Sequence, residues 1–371
     1  MPIQINPVLL ILLLVWLVSW QSANAAVIHD LYDANIAVDD QSQRTQNKAF
    51  NLALKQVLVK VRGNNDLLSH PKIKSTLAKA TGFVRAYRYD KQGTQLYLVI
   101  NFDPQRVENV IRNAGFPVWD KRRPDSLVWL AIQLSDDSVR QIATPTEYPE
   151  IYQQLRKRAM QRGIKLSFPV WDLADVQSLG VYDIWGGFSA QISQASERYV
   201  VPSILSARIY FSDKQLSAVA QSRVITNTKP AGQWTADWTM IEGAGLLAGQ
   251  VQGDNLLIVT EALIDALADQ LSFKYAIDLA KIDRADTKVQ IVINNVDSLT
   301  HYSQALEFLD GMSVINSATL IKLQGPRATF ELDLLGDVDD LTNALGLDSK
   351  IRPVVDDFGQ PILGLEFFWV K

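Results

Sequence analysis

Lys288–Gly311 reads KVQIVINNVDSLTHYSQALEFLDG. Lys288–Asn294 is a strand pattern, and Ser298–Asp310 is a helix pattern that Gly311 ends. Ser313–Leu323 and Ala328–Leu335 follow as a hairpin across Gln324-Gly325-Pro326. Asp337–Leu345 reads as a short helix. Asp337 caps it, Asp340 sits in its first turn near the positive dipole end, and Gly346 ends it. Ile362–Val370 closes the stretch with Leu363, Leu365, Phe367 and Trp369 on one face. The order over residues 287–371 is β-α-β-β-α-β, a ferredoxin-like split unit.

Upstream, residues 125–280 read as a central mixed α/β module. Ser126–Leu134 is a strongly apolar strand, Thr146–Arg162 a helix closed by Gly163, and Ile164–Phe168 a short strand before Pro169. Asp183–Gln194 reads as helix. Arg198–Phe211, Gln215–Thr226 and Gln233–Glu242 read as consecutive antiparallel strands, with Leu246–Gln252 as a fourth. Asn255–Phe273 is a long helix with Leu256, Val259, Leu263, Ala266, Leu267 and Leu271 on its apolar stripe. A strand–helix–strand start followed by a meander predicts a mixed sheet with helices packed on it.

Residues 26–118 form an N-terminal α/β module of the β-α-β-β type. Asp30–Val38 alternates as a strand, and Ser42–Val61 is an amphipathic helix with Ala49, Leu52, Ala53, Gln56 and Val57 on one face. Helical signal returns across His70–Ala80. Phe83–Tyr89 and Gln95–Phe102 make a hairpin around Lys91-Gln92-Gly93. Asp103-Pro104 starts a last helix, Asp as cap and Pro at the first helical position, which Gly115 ends. Residues 119–124, WDKRRP, form a basic connector. The expected class is therefore α+β or mixed α/β, multidomain.

The first 25 residues read differently. Val8–Trp20 (VLLILLLVWLVSW) is an apolar run of 13 residues, short of the ~20 needed to span a bilayer but suited to a signal-peptide core. Ala23-Asn24-Ala25 supplies the small side chains of a cleavage site, so cleavage is expected between Ala25 and Ala26 and the protein is expected in the periplasm. The segment before the core has no Lys or Arg, and the alternative is an uncleaved amino-terminal anchor in the inner membrane. No later stretch is long and apolar enough for a stable membrane span.

Removing 25 residues from 371 leaves 346, enough for two or three domains. A hydrophobic fraction of 47% and a charged fraction of 20% describe folded domains with real cores. The net charge of −4 argues against a nucleic-acid partner, which needs a basic stripe. The chain has no cysteine, so it holds no disulfide, thiol nucleophile, thiolate zinc site or iron–sulfur cluster. The three histidines, His29, His70 and His301, stand in no ligand spacing.

Several stretches tempt a chemical reading. Gly243, Gly245 and Gly249 lack the spacing and strand-to-helix placement of a dinucleotide loop and read as a hairpin connection. Asp357-Phe358-Gly359 has none of the other kinase elements and reads as a turn. Asp337, Asp339 and Asp340 lack the glycine and distal glutamate of a calcium loop and read as capping residues. No G-x-S-x-G occurs. The carboxylate pairs of glycosidase chemistry stay open at this point. No cofactor is implied, and the reading leans away from an enzyme. Trp119, Arg122 and Arg123 are candidate interaction residues, since Trp and Arg are favoured interface anchors. The competing reading is a solvated linker with the tryptophan plugging a domain junction. Asp172 is a further candidate.

The chain resembles the bacterial domain of unknown function 2066 family. The resemblance rests on Leu31-Tyr32-Asp33-Ala34, Ala53–Asn64 (ALKQVLVKVRGN), Phe102-Asp103-Pro104, Ala114–Trp119 (AGFPVW), Arg123–Leu130 (RPDSLVWL), Arg162-Gly163 and Phe168–Leu173 (FPVWDL). It is carried by the first two modules, with the third matched in outline. It implies an exported gammaproteobacterial protein and transfers no catalytic residues. The function expected is a non-enzymatic envelope interaction or assembly factor with an envelope protein as partner. The alternative is a small-ligand or glycan-binding protein, with or without hydrolytic activity, using a cleft between modules one and two.

Overall fold

The computed structural model describes residues 26–27, 30–135, 138–212, 233–278, 288–348, 350–356, 362 and 364–370. The expected signal segment, the expected strand Gln215–Thr226 and Asp357-Phe358-Gly359 lie outside these residues. Three domains follow one another, each with its own sheet and core, giving the multidomain α+β architecture.

In the N-terminal domain the elements are β1 (Ala26–Val27), β2 (Asp33–Val38), α1 (Gln43–Arg62), α2 (Pro71–Leu77), β3 (Val84–Gln92), β4 (Gln95–Phe102) and α3 (Pro104–Asn113). The sheet order is β2-β4-β3, antiparallel throughout. Ser42 caps α1 by accepting from the Thr45 N–H, and Gly63 ends it at φ +76°, a conformation that favours glycine. The buried stripe of α1 keeps Ala49, Ala53 and Val57 of the expected one and extends toward Phe50, Leu54 and Leu58. Phe50, Leu54 and Leu58 face Leu98, Ile100 and Phe102 in the core, while Leu52 is exposed.

The expected basic connector is not a free linker. Its residues Arg122–Arg123 form β5, antiparallel to β1. The central domain then comprises β6 (Asp125–Gln133), β7 (Gln141–Ile142), α4 (Pro149–Arg162), β8 (Lys165–Ser167), α5 (Leu173–Ser178), α6 (Val181–Gly186), α7 (Ser189–Ser196), β9 (Ser203–Ser212), β10 (Gln233–Glu242), β11 (Gly245–Gly253) and α8 (Leu256–Tyr275). The sheet runs β11-β10-β9-β6-β7, with β8 also beside β6. β6 is parallel to β8 and β9, while β9, β10 and β11 form an antiparallel meander. Helices cover both faces of β6, which explains its unbroken apolar run. The single helix expected over Asp183–Gln194 is two, α6 and α7, broken at Gly187 with φ +67°. The glycine-rich Gly243–Gly249 stretch is the β10–β11 hairpin, as read from its spacing.

The C-terminal domain holds β12 (Lys288–Asn294), α9 (Leu299–Asp310), β13 (Ile315–Gln324), β14 (Arg327–Leu334), α10 (Val338–Gly346), β15 (Ile351–Pro353) and β16 (Glu366–Trp369). The sheet order is β13-β14-β12-β16-β15. α9 links β12 to a parallel β13 with β14 between them, the split crossover expected of a ferredoxin-like unit. The final strand departs from expectation. β16 is parallel to β12 and slots between it and β15, so the short β15 takes the place of the strand following the second helix. Pro353 lacks an amide donor, and an outer strand tolerates that loss. Asp337 and Asp340 form a reciprocal capping box at α10.

Candidate interaction sites

Two helix C-termini meet at the boundary of the first two domains. α1 ends at Gly63 and α4 at Gly163, both glycines at positive φ. Each end leaves carbonyl groups without a helical partner and a partial negative charge. Arg123, wholly buried, fills the space between them. Its Nη2 donates to the carbonyls of Lys60 (2.7 Å) and Trp119 (3.0 Å), and its Nη1 to those of Gly163 (2.7 Å) and Arg162 (3.4 Å). Its Nε donates to the Asp120 carbonyl (2.9 Å), and its guanidinium lies 4.0 Å from the Trp119 ring centroid. Burial pushes its ionisation down to about 9, while Asp120 opposes the shift. The surrounding acceptors all require donors, so the guanidinium is a cation at neutral pH.

A second arginine extends the junction. Arg162, in the last turn of α4, donates to the Gly63 carbonyl (2.7 Å) and pairs with Asp265 (2.6 Å) and Asp269 of α8. Arg158 also pairs with Asp265, and Asn64 donates to Asp269. Arg122 points the other way. Its guanidinium lies 5.4 Å from the Phe308 ring centroid and 3.9 Å from Asp348 of the C-terminal domain. An antiparallel backbone bridge joins Val118 to Ile277. Neighbouring arginines of one short strand thus clamp different domains.

Asp172 lies elsewhere, on the far face of the central sheet. It caps α5, accepting from the Asp175 N–H, and receives both ends of the Arg198 guanidinium at 2.6 and 2.7 Å. That pair holds the Asp172 carboxyl well below the usual carboxylate range. Asp175 is fully buried and accepts from Arg198, the Tyr199 hydroxyl and the Trp171 N–H. Burial, then the bond to Asp175, pushes the Tyr199 phenol up to about 12. Trp171 sits at φ +57°, a strained conformation for a bulky residue, with its ring edge-on to Trp129. The consequence is an inverted helix. Asp175 points inward, while Val170 (72% exposed), Leu173 (71%) and Val176 (62%) face solvent beside α6, where Tyr182 is 67% exposed.

A cleft of about 400 Å³ opens between the first two domains, lined by Asp30, Asp33, Gln56, Lys60, Lys157 and Gln161 among others. Lys60 is buried there and donates to the Asp33 carbonyl at 2.9 Å; desolvation lowers its ammonium pKa. The Asp33 carboxylate accepts from Asn101. Among the described residues no group of three or more His, Asp or Glu side chains is placed to hold a metal ion.

Residues 287–359 match the DUF2066 family model. The C-terminal domain is thus a DUF2066 domain. Residues 25–120 match a second model, described as a domain of unknown function, DUF8605. The curated proteins contain no match to the chain. The resemblance is therefore redistributed. The N-terminal residues that carried it fall in the DUF8605 match, and the module matched in outline is the DUF2066 domain itself.

Trp119, Arg122 and Arg123 begin where the DUF8605 match ends and reach the DUF2066 domain through Arg122. Trp119 and Arg123 are fully buried, so they bind the chain's own domains and present nothing to an outside partner. Composition pointed to a solvated basic run because a chain's own helix ends are invisible as acceptors until the fold brings them together. The structure leaves Asp172 at a surface. Its partner Arg198 is not legible in the sequence because it lies 26 residues further along the chain. The legible signal was Val170, Leu173 and Val176, apolar at helical spacing around a polar cap.

Proposed function

We propose that this chain is an exported envelope protein that works by binding another envelope protein, with no catalytic step. The observation behind the reading is the inverted helix α5, which buries Asp175 and turns Leu173 and Val176 outward. Covering a side chain of that size contributes about 1.5–3 kcal/mol. The Asp172–Arg198–Asp175–Tyr199 network fixes the patch before binding, so little ordering entropy is lost on association. The three domains are bridged by the buried Arg123 and Arg162 and the half-buried Arg122, which suits a rigid scaffold. The export reading rests on Val8–Trp20 and Ala23-Asn24-Ala25, with the periplasm as the compartment and an inner-membrane anchor as the alternative. Among the described residues no helix is long and apolar enough to cross a membrane.

The test is site-specific photo-crosslinking in cells at native expression, with the probe at Val176 and, as control, at exposed Ile321. A discrete adduct with one envelope protein from Val176 alone is the expected result. Equal labelling from both positions, or none, would sink the proposal. The cleft at Lys60 favours a second reading, a small polar or glycan ligand held between the domains. That reading predicts thermal stabilisation by a wall fragment, which a Gln56→Ala, Lys157→Ala variant abolishes.

A further inference from the structure

Strand β11, Gly245–Gly253, reads GLLAGQVQG and, among the described residues, is an outer strand of the central sheet. It pairs with β10 in nine consecutive positions without a register shift. It contains no charged residue and no proline, and most of it is exposed. Long, regular, uncharged edges invite another strand, and other outer strands here carry devices against that. β3 bears Arg85, Arg88, Asp90 and Lys91 and an irregularity after Val84. β13 carries Lys322 and two register shifts. β7, β8 and β15 have two or three residues each, and β2 faces α4 across the cleft. β11 has none of these.

We infer that the outer edge of β11 pairs antiparallel with the same edge of a second copy of this chain. The β10–β11 turn has two residues, Gly243 and Ala244, with positive φ at Gly243 only. Such a turn makes Glu242 and Gly245 the closing hydrogen-bonded pair. The odd-numbered residues of β11 therefore bond to β10, and Leu246, Ala248, Gln250 and Gln252 direct their N–H and C=O groups outward.

The sequence of the edge is close to its own complement. With Gly249 on the two-fold axis, Gly245 faces Gly253, Leu247 faces Val251 and Ala248 faces Gln250 of the second copy. No like charges are opposed. The flanks match as well. α8 packs on the face that carries Leu247 and Val251, and its ends expose different apolar residues. At the Gly253 end Ile258 lies against the strand, and Leu257 and Ile258 are both exposed. At the other end Lys274 pairs with Glu242, and the adjacent Phe273 is 81% exposed. A two-fold axis at Gly249 brings the Phe273 end of one copy over the Ile258 end of the other. Like ends cannot meet in that arrangement, so the complementarity selects a second copy.

The test uses the protein isolated from cells, in three forms. Light scattering over a dilution series is expected to show a dimer for the unaltered chain. Ala248→Pro removes one outward N–H without touching the bonds to β10, so a monomer with unchanged circular dichroism is expected. The chain has no cysteine of its own, so Leu247→Cys/Val251→Cys adds the only two thiols. Within one copy these lie about 13 Å apart, beyond disulfide reach. Across the axis they form a close, non-hydrogen-bonded pair about 4.5 Å apart at Cα. Mild oxidation at low protein concentration is expected to give a reducible covalent dimer. A monomer at every concentration, or a dimer that survives Ala248→Pro and gives no covalent product, overturns the inference. If the proline variant fails to fold, the cysteine pair decides alone.

Discussion

Replacing Arg123 with alanine should release the N-terminal domain from the central one. Five carbonyl oxygens, those of Lys60, Trp119, Asp120, Arg162 and Gly163, would lose their donor in a site that water does not reach. Hydrogen bonds to a charged group contribute about 1.5–3 kcal/mol each, which would sum to well above 7 kcal/mol. Burying a guanidinium without a paired carboxylate opposes this by several kcal/mol. The net loss expected is about 3–5 kcal/mol, in the range found for breaking buried ionic contacts. Arg123→Lys should recover little of it, because one ammonium cannot reach both helix ends as the planar fork does. The assay is urea denaturation followed by tryptophan fluorescence, together with limited proteolysis around residues 115–124. The unaltered protein should lose its first two domains together, and the variant in two separate transitions. A loss below about 1 kcal/mol with a single transition preserved would refute the argument that Arg123 joins the helix ends.

Gly63→Ala should cost more than about 2 kcal/mol by equilibrium denaturation. The residue sits at φ +76°, and an added Cβ would lie 2.5 Å from both Ser272 and the Trp119 ring. Asp175→Ala should cost about 2–4 kcal/mol and abolish crosslinking from Val176, since Tyr199, Trp171 and Arg198 all lose an acceptor. Val176→Asp should change stability by no more than about 0.5 kcal/mol and still abolish capture of the partner. In alkali, burial raises the phenols of Tyr32, Tyr152 and Tyr275 above their ordinary range, and that of Tyr199 to about 12. The folded state then holds protons that the unfolded state releases, so stability is complete below about pH 10 and falls as pH rises beyond it. Denaturation midpoints that stay level from pH 9 to 12 would contradict this.

Most elements were legible from local patterns. Ser42, Asp103, Asn255, Ser298 and Asp337 each cap the helix whose start they marked, because a side-chain oxygen two or three residues before a helical N–H acts locally. Gly163 ends its helix as its sequence position indicates. The misreadings have a shared cause. Leu52 was placed on the buried stripe of α1 because periodicity gives a face but not the direction of the core. β15 was missed because three residues containing a proline carry too little pattern. The interaction candidates divided in the same way. Asp172 reached the surface, while Trp119 and Arg123 went inside, and basic composition alone does not separate a guanidinium facing water from one facing carbonyls.

The sequence by itself determined where most helices and strands begin, that the fold is multidomain α+β, and that no cysteine is present. These follow from spacing, caps and composition, which act over a few residues. The tertiary structure decided what those elements do to one another. It brought the ends of α1 and α4 around Arg123, inserted β16 beside β12, turned the apolar side of α5 outward and left the outer edge of β11 unpaired among the described strands. Each of these depends on contacts between residues far apart in the chain, whose burial and pairing are settled only when the domains pack.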